Sequence, residues 1–478
     1  MQLTSKKEVN FESVLKKVMY LGLATYFIFF IVNSAFCIIY PYQIDYGEGF
    51  LLNQAKLISS GNWIYKDINE PPFLMSNYPP IYPAVVSLFM LFFGVSFMWG
   101  RFISAISTFI TGLLIYKIVR KKTDRDIGMI SFLIFFSSPY IFQWGPLHRV
   151  DMLALCFSLA GIYLLSQTSI TPQRVYLSVL FFILATFTKQ SFFAAPIAAV
   201  LYLYFKDSKM ALKFGVSFIT IYLTMFLIID HSTEGKFHLN TIICNVNIFS
   251  FYQAIIYLVK FIWTHGLLVL LGFWFVISSS ISKLKSELLS LYSILAFCFS
   301  FTVGKVGSNI NYFVETIAVF CIIFGLTLKK IEIFRLNSDL NFKKFLYIAI
   351  LIQLVSFAHL PFTYPSLEDL KNEKLLSEKI QRYERILSED GGILVVNGKD
   401  VVFQPFEFTQ LSIQGIWDQG KILQEIEKKK FDLIILEFNV FDLPTKNERF
   451  TNEMIQLIRS NYCFSEKIGR KYLYEPCI

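Results

Sequence analysis

Four short polar stretches break an otherwise apolar chain, and each carries residue types able to do acid–base or anion-binding chemistry. The first is Asp45-Tyr46-Gly47-Glu48-Gly49, two carboxylates three apart beside glycines that let the backbone turn tightly. The second, His148-Arg149-Val150-Asp151, sets a carboxylate beside two groups that can carry positive charge. The third is Thr188-Lys189-Gln190-Ser191. The fourth runs from Gly304-Lys305 to Ser308-Asn309 and is followed by Asn311, Tyr312 and Glu315. A positioned carboxylate can take the proton of a hydroxyl as that hydroxyl becomes a nucleophile. Cations can hold a phosphate leaving group and offset its charge. Asp45, Glu48 and Asp151 are candidates for the first task; Arg149, Lys189, Lys305 and His148 are candidates for the second, with Asn309 in the same turn as Lys305. Each has a plainer reading. Asp45 and Glu48 suit a helix cap, and Asp151 suits a cap or a partner for Arg149. Arg149 and His148 suit interface anchors that snorkel. Lys189 suits an ordinary loop lysine, and Lys305 with Asn309 a Gly-rich hairpin turn. Glu70, ahead of Pro71-Pro72, reads as structural or as lining the same site.

What positions these residues is a succession of apolar runs. The chain of 478 residues is 55% hydrophobic and 17% aromatic, with a mean hydropathy of +0.53. Only 17% of residues are charged, against roughly 25% in soluble proteins. Runs long enough to cross a bilayer, roughly 20 residues each, follow one another to residue 360. A more polar tail, residues 361–478, follows. The net charge of +9 does not indicate nucleic acid. Its lysines and arginines sit in short patches beside the apolar runs, the pattern of cytoplasmic loops rather than of a phosphate-tracking stripe. The first run is too long for a cleavable signal peptide and lacks a small-residue cleavage site, so it is expected to remain as a span.

Lys16 and Lys17 before the first span, residues 18–40, put the N-terminus in the cytoplasm and residues 41–80 outside. Residues 81–95 are short for a span. Laid in the outer interface, they let residues 97–119 run inward and bring Arg120-Lys121-Lys122 to the cytoplasm. The remaining spans then alternate at residues 127–143, 150–166, 175–188, 192–205, 211–229, 266–282, 288–303, 312–328 and 345–360. That makes about eleven by the length criterion, with the tail outside and residues 252–263 as a further interfacial segment. All four polar stretches fall on the outer side, so Asp45, Asp151 and Lys189 are expected to face one outer cavity. In the tail, helix-like residues 378–387, 422–429 and 452–460 alternate with strand-like residues 392–396 and 431–436, which indicates a small α/β layer fold.

Taken in order, Asp-x-x-Glu after the first span, Ser60-Gly61-Asn62-Trp63, a Pro-Pro pair, an interfacial segment, Gly100-Arg101-Phe102-Ile103-Ser104, Arg149-Val150-Asp151 and Thr188-Lys189-Gln190 resemble the GT-C superfamily. These are glycosyltransferases that use polyprenyl-phosphate sugars. Within the superfamily, roughly the first 330 residues are similar to the protein O-mannosyltransferases and to the aminoarabinose transferases that modify lipid A. The resemblance implies a polyprenyl-phosphate sugar donor and a lipid, glycan or protein acceptor at the extracytoplasmic face of a membrane, here a bacterial inner membrane. It implies Asp45 as the catalytic base or its orienter, and Asp151 as the second-loop aspartate. Many relatives have two adjacent acids, whereas here Tyr46 separates Asp45 from Glu48, so either can be the base.

A lipid-linked glycan polymerase or ligase would recognise lipid phosphate alike and stays open. A transporter or flippase would be expected to show internal repeats and charges at mid-span; this chain shows neither. No His, Cys, Asp or Glu group has metal-ligand spacing, so no divalent metal or other cofactor is expected to be essential. Cys463 and Cys477 are the two cysteines of the tail. An exterior tail allows them a disulfide; the alternative is two free thiols.

Overall fold

In a computed structural model, described over residues 11–245, 247–278, 287–334, 341–357, 365–442 and 448–478, a helical body is followed by a small mixed sheet. Helix α1, Phe11–Ile39, and helix α4, Phe97–Lys122, bracket the first long loop. Between them lie α2, Tyr46–Ser59, and α3, Ile81–Phe93. Among the described residues, four helices are long and apolar enough to cross a membrane: α1, α4, Ser208–Ser232 and Ile310–Ile331. Shorter apolar helices, Asp151–Leu165, Pro172–Thr186, Ala194–Lys206, Leu288–Gly304 and Lys344–Phe357, occupy five of the other expected spans. Residues 358–360, and with them the 360/361 domain boundary, lie outside the described residues.

The interfacial segments read from charge are separate elements. The 13-residue α3 leaves Leu88, Leu91, Phe92 and Phe93 exposed. Helix Phe251–Thr264 turns by 96° at His265 into Gly266–Ile277. One expected span is broken. Residues 127–143 form two helices, because Ser138 precedes Pro139 and takes an extended conformation (φ −62°, ψ 126°), as residues before proline do. At the centre stands Ile310–Ile331, 89% of whose apolar window is buried. By contrast Ser208–Ser232 buries only 11% and turns Leu212, Val216, Ile219, Leu223 and Leu227 outward. An all-round apolar helix belongs inside a bundle, and one with an exposed apolar stripe beside lipid.

The tail's four strands are β1 Ile386–Ser388, β2 Leu433–Leu436, β3 Tyr462–Ile468 and β4 Lys471–Pro476. They pair in the order β1-β2-β4-β3, with β1 parallel to β2 and the rest antiparallel. Residues 392–396, read as a strand, are helical instead: Asp390 caps Gly391–Val396 by accepting from Ile393 N. A five-residue apolar run does not carry enough periodicity to distinguish the two. Residues 378–387 are likewise split, ending helix Leu367–Ile380 and entering β1. Cys463 and Cys477 are bridged, with Cα atoms 5.0 Å apart. The tail docks on this first long loop. Phe73 N donates to Val402 O and Gln404 N to Phe73 O, at 2.9 and 3.0 Å, and Gly49 meets Gly392 so closely that a Cβ at residue 49 would sit 2.3 Å from the Gly392 nitrogen.

Candidate active site

The two acids of the first loop part company. Glu48 and Arg101 are both wholly buried, and Arg101 donates to both Glu48 oxygens at 2.9 and 2.7 Å. The same carboxylate accepts from Ile44 N, Asp45 N and His148 N at 2.7, 3.2 and 2.8 Å. Arg101 spends its remaining donors on the carbonyls of Cys37, Tyr40 and Tyr42. One ion pair therefore ties the end of α1, the start of α2, α4 and the His148 loop together. Burial alone would push the Glu48 carboxyl up, but the Arg101 charge and these bonds hold it at about 2. A carboxylate with every lone pair engaged is a poor proton acceptor, so Glu48 positions the loop.

Asp45 is the N-cap of α2. Its Oδ2 accepts from Gly47 N at 3.1 Å, and Glu48 completes the capping box, a local reason for the helix to start here. The carboxylate also pairs with Arg149. It is not enclosed, and it lines a cavity of about 410 Å³ between this loop and the tail, together with Tyr40, Arg449, Arg470 and Lys471. A Cβ at Gly47 would lie 1.9 Å from an Arg149 nitrogen, so a side chain there would displace the guanidinium from Asp45. Arg149 in turn sits 5.4 Å above the Trp144 ring.

Behind Trp144 lies the second acid. Asp151 opens helix Asp151–Leu165 and is buried; its Oδ2 accepts from Trp144 Nε1 at 2.8 Å. Its Oδ1 accepts from Lys189 Nζ at 2.6 Å and Asn311 Nδ2 at 2.9 Å. Lys189 lies 4.5 Å from the centre of the Tyr312 ring. Burial works against the Lys189 charge, but Asp151 outweighs it and the ammonium is held protonated. The structure thus joins Asp45, Arg149, Asp151 and Lys189 at one end of the bundle. Of the three residues expected to share a cavity, only Asp45 lines this one; the Asp151–Lys189 pair is buried, with Trp144 bonded to its carboxylate.

Other candidates move. His148 is buried against Tyr82, Phe97 and Gly100; burial pushes its imidazole down to about 3, so it is neutral and not a phosphate cation. Lys305 is lowered to about 8, by burial first and then by Lys189, and donates to the carbonyl and side-chain oxygen of Asn245. Asn309 is exposed and caps the turn at Ile310 N; Asn311, two residues on, is the one that reaches Asp151. Glu70 is exposed and pairs with Lys421 of the tail at 2.7 Å, holding the two regions together. Sequence reasoning counted Arg101 in a motif without giving it a role, and it named neither Trp144 nor any tail residue for the site. Arg101 lies in an apolar run, where an arginine is itself a signal. From the tail, Phe406 N donates to Tyr46 Oη at 3.0 Å, and Arg449 sits 4.3 Å above the Tyr46 ring.

This architecture, a helical body whose first long loop carries a capped acid under a small C-terminal sheet, is a fold shared with solved membrane proteins. ArnT from Cupriavidus metallidurans, bound to undecaprenyl phosphate, aligns with a TM-score of 0.62 at 11% identity, covering 95% of this chain and 97% of that one. The archaeal oligosaccharyltransferase AglB from Archaeoglobus fulgidus, in complex with an inhibitory peptide and a dolichol-phosphate, aligns with a TM-score of 0.54 at 10% identity, covering 86% and 69%. Residues 77–232 match the family model described as dolichyl-phosphate-mannose-protein mannosyltransferase. That match contains Asp151 and Lys189 but starts beyond Asp45. An uncharacterized protein from Aquifex aeolicus (strain VF5) is 30% identical over 173 residues, 35% of this chain; the chain spans 39% of that relative's length.

Proposed function

We propose that this chain is a membrane glycosyltransferase that moves a sugar from a polyprenyl-phosphate carrier to a hydroxyl of an acceptor at the extracytoplasmic face, with residues 361–478 as an extracytoplasmic domain. The observation that carries the reading is Asp45: a capped carboxylate on the wall of a cavity, paired with an arginine that a phosphate could draw away. As the acceptor oxygen bonds to the anomeric carbon, its proton passes to Asp45. The bond from the anomeric carbon to the phosphate oxygen breaks, and the polyprenyl phosphate leaves with the electron pair. Arg149 and Lys189 offset the charge that develops on it. These cations are the protein's own, and the reaction as drawn calls on no divalent metal.

The Cupriavidus match, to a protein bound to undecaprenyl phosphate, supports a lipid-phosphate donor. The oligosaccharyltransferase match keeps a lipid-linked oligosaccharide as a second donor class. The test is to incubate membranes containing the protein with a polyprenyl-monophosphate sugar. Release of polyprenyl phosphate that Asp45→Asn abolishes supports the reading; movement of the intact donor across the membrane without cleavage refutes it.

A further inference from the structure

Buried polar atoms are nearly always hydrogen-bonded. Among the described residues, a set of side-chain oxygens around the Asp151–Lys189 pair departs from that rule: Asn77 Oδ1, Gln190 Oε1, Asn311 Oδ1 and Glu407 Oε2 are buried without a partner. They come from the first loop, the third loop, the turn before the central helix and a tail helix, Pro405–Ile413. They form one neighbourhood. Gln190 Nε2 donates to Asn77 O at 2.6 Å, and Asn311 Nδ2 donates to Asp151. Phe406, next to Glu407, bonds Tyr46 and packs at Gly307, where a Cβ would lie 2.6 Å from its ring. The amide orientations of Gln190 and Asn311 are fixed, because each nitrogen is already committed to an oxygen acceptor and a flip would set oxygen against oxygen.

These four orphans are acceptors, beside one orphan donor, Arg149 Nε, and the Ser308 hydroxyl. Such acceptors repel a phosphate and attract a group rich in donors, namely sugar hydroxyls or an ammonium. Arg149 and Lys189 beside them are cations that suit the phosphate. Resting on the function proposed above, we infer that Asn77, Gln190, Asn311 and the tail's Glu407 bind the transferred sugar through its own hydroxyl or amino donors, while Arg149 and Lys189 hold the phosphate. Glu407 is held near 7, by burial first, against the pull of Gln404, Arg149 and Arg449; it can accept or donate, as a sugar hydroxyl requires. The tail is then part of the donor site.

The experiment compares affinity for two probes, undecaprenyl phosphate and undecaprenyl-phosphoryl-mannose, in the full-length protein. The wild type should bind the mannosyl carrier more tightly than the bare one. Glu407→Ala and Gln190→Leu should each weaken the mannosyl carrier roughly three- to tenfold, the worth of one hydrogen bond, and leave the bare carrier unchanged. Glu407→Gln, which keeps a donor and an acceptor, should recover most of the loss. Equal loss on both probes, no loss on either, or a change confined to the acceptor KM overturns the inference. If the wild type binds neither probe, the proposed function itself fails, a result distinct from these.

Discussion

Replacing Glu48 with Gln separates the two acids of the first loop. Glu48 accepts from Ile44, Asp45 and His148 and twice from Arg101, entirely out of water. Its carboxyl is held at about 2 against an ordinary 4.5. Because the folded value lies below the unfolded one, the stabilisation is present above about pH 4.5 and is lost as the pH falls toward 2. At neutral pH a difference of that size corresponds to about 3 kcal/mol. This agrees with the roughly 3–5 kcal/mol lost when one partner of a buried pair is removed. Glu48→Gln preserves the volume and leaves the Arg101 charge uncompensated. Thermal unfolding in detergent should drop, since about 3 kcal/mol is over a hundredfold in the folding equilibrium. Replacing Glu48 and Arg101 together by leucine should not recover the loss, because it also strands the Ile44, Asp45 and His148 N–H groups and the carbonyls of Cys37, Tyr40 and Tyr42. Asp45→Asn should melt close to the wild type and lose turnover on the order of 10²–10⁴-fold. If Glu48→Gln melts like the wild type yet loses as much turnover as Asp45→Asn, the reasoning is wrong and Glu48 is the base.

Lys189→Met should destabilise the protein by roughly 3–5 kcal/mol, because it leaves Asp151 buried without its cation. Adding Asp151→Asn should restore the melting temperature but not turnover, and recovered turnover would count against both residues. Serine at Cys463 should lower stability by roughly 3 kcal/mol on the chain-entropy model. In the wild type neither tail thiol should react with a maleimide before reduction, and labelling of both would contradict the bridge. Glu389 and Glu407 are each raised from 4.5 to about 7, by burial first. Their stabilising share is full below about 4.5 and lost as the pH rises through 7. The double change Glu389→Gln/Glu407→Gln should therefore flatten the pH dependence of melting over that window, and an unchanged slope would show that other groups set it. Dialysis against EDTA should leave transfer intact; loss that magnesium or manganese restores would add a metal to the mechanism.

The helical body, and the gathering of the polar stretches at one end of it, were legible because apolar runs and lysine patches obey simple physics. Asp45, Asp151 and Lys189 stood out as ionisable residues at the ends of such runs. What the sequence concealed was direction and partnership. Glu48 looked as available as Asp45 until Arg101, 53 residues on, was found to engage both its oxygens. His148 looked cationic beside Arg149, yet its ring turns into the aromatic packing behind Gly100. Asn309 and Asn311 differ by two positions in a 3₁₀ turn, and only the backbone decides which faces Asp151. Contacts across hundreds of residues, such as Tyr46 with Phe406, leave no local pattern to read.

The pairing of Phe73 with residues 402–404 has a consequence for how the protein is made. Its two halves leave the ribosome far apart in time: Met75 N is bonded to Gln404, 329 residues later. At roughly 5–20 residues per second, the first long loop waits on the order of tens of seconds without its partner, while every intervening helix is made. During that interval Phe73, Met75 and Tyr46 have no tail to cover them, and the α2 cap has no Phe406 against it. Assembly of the Asp45 cavity is therefore the last event of synthesis, and a chain cut short before residue 402 would be helical yet lack one wall of that cavity.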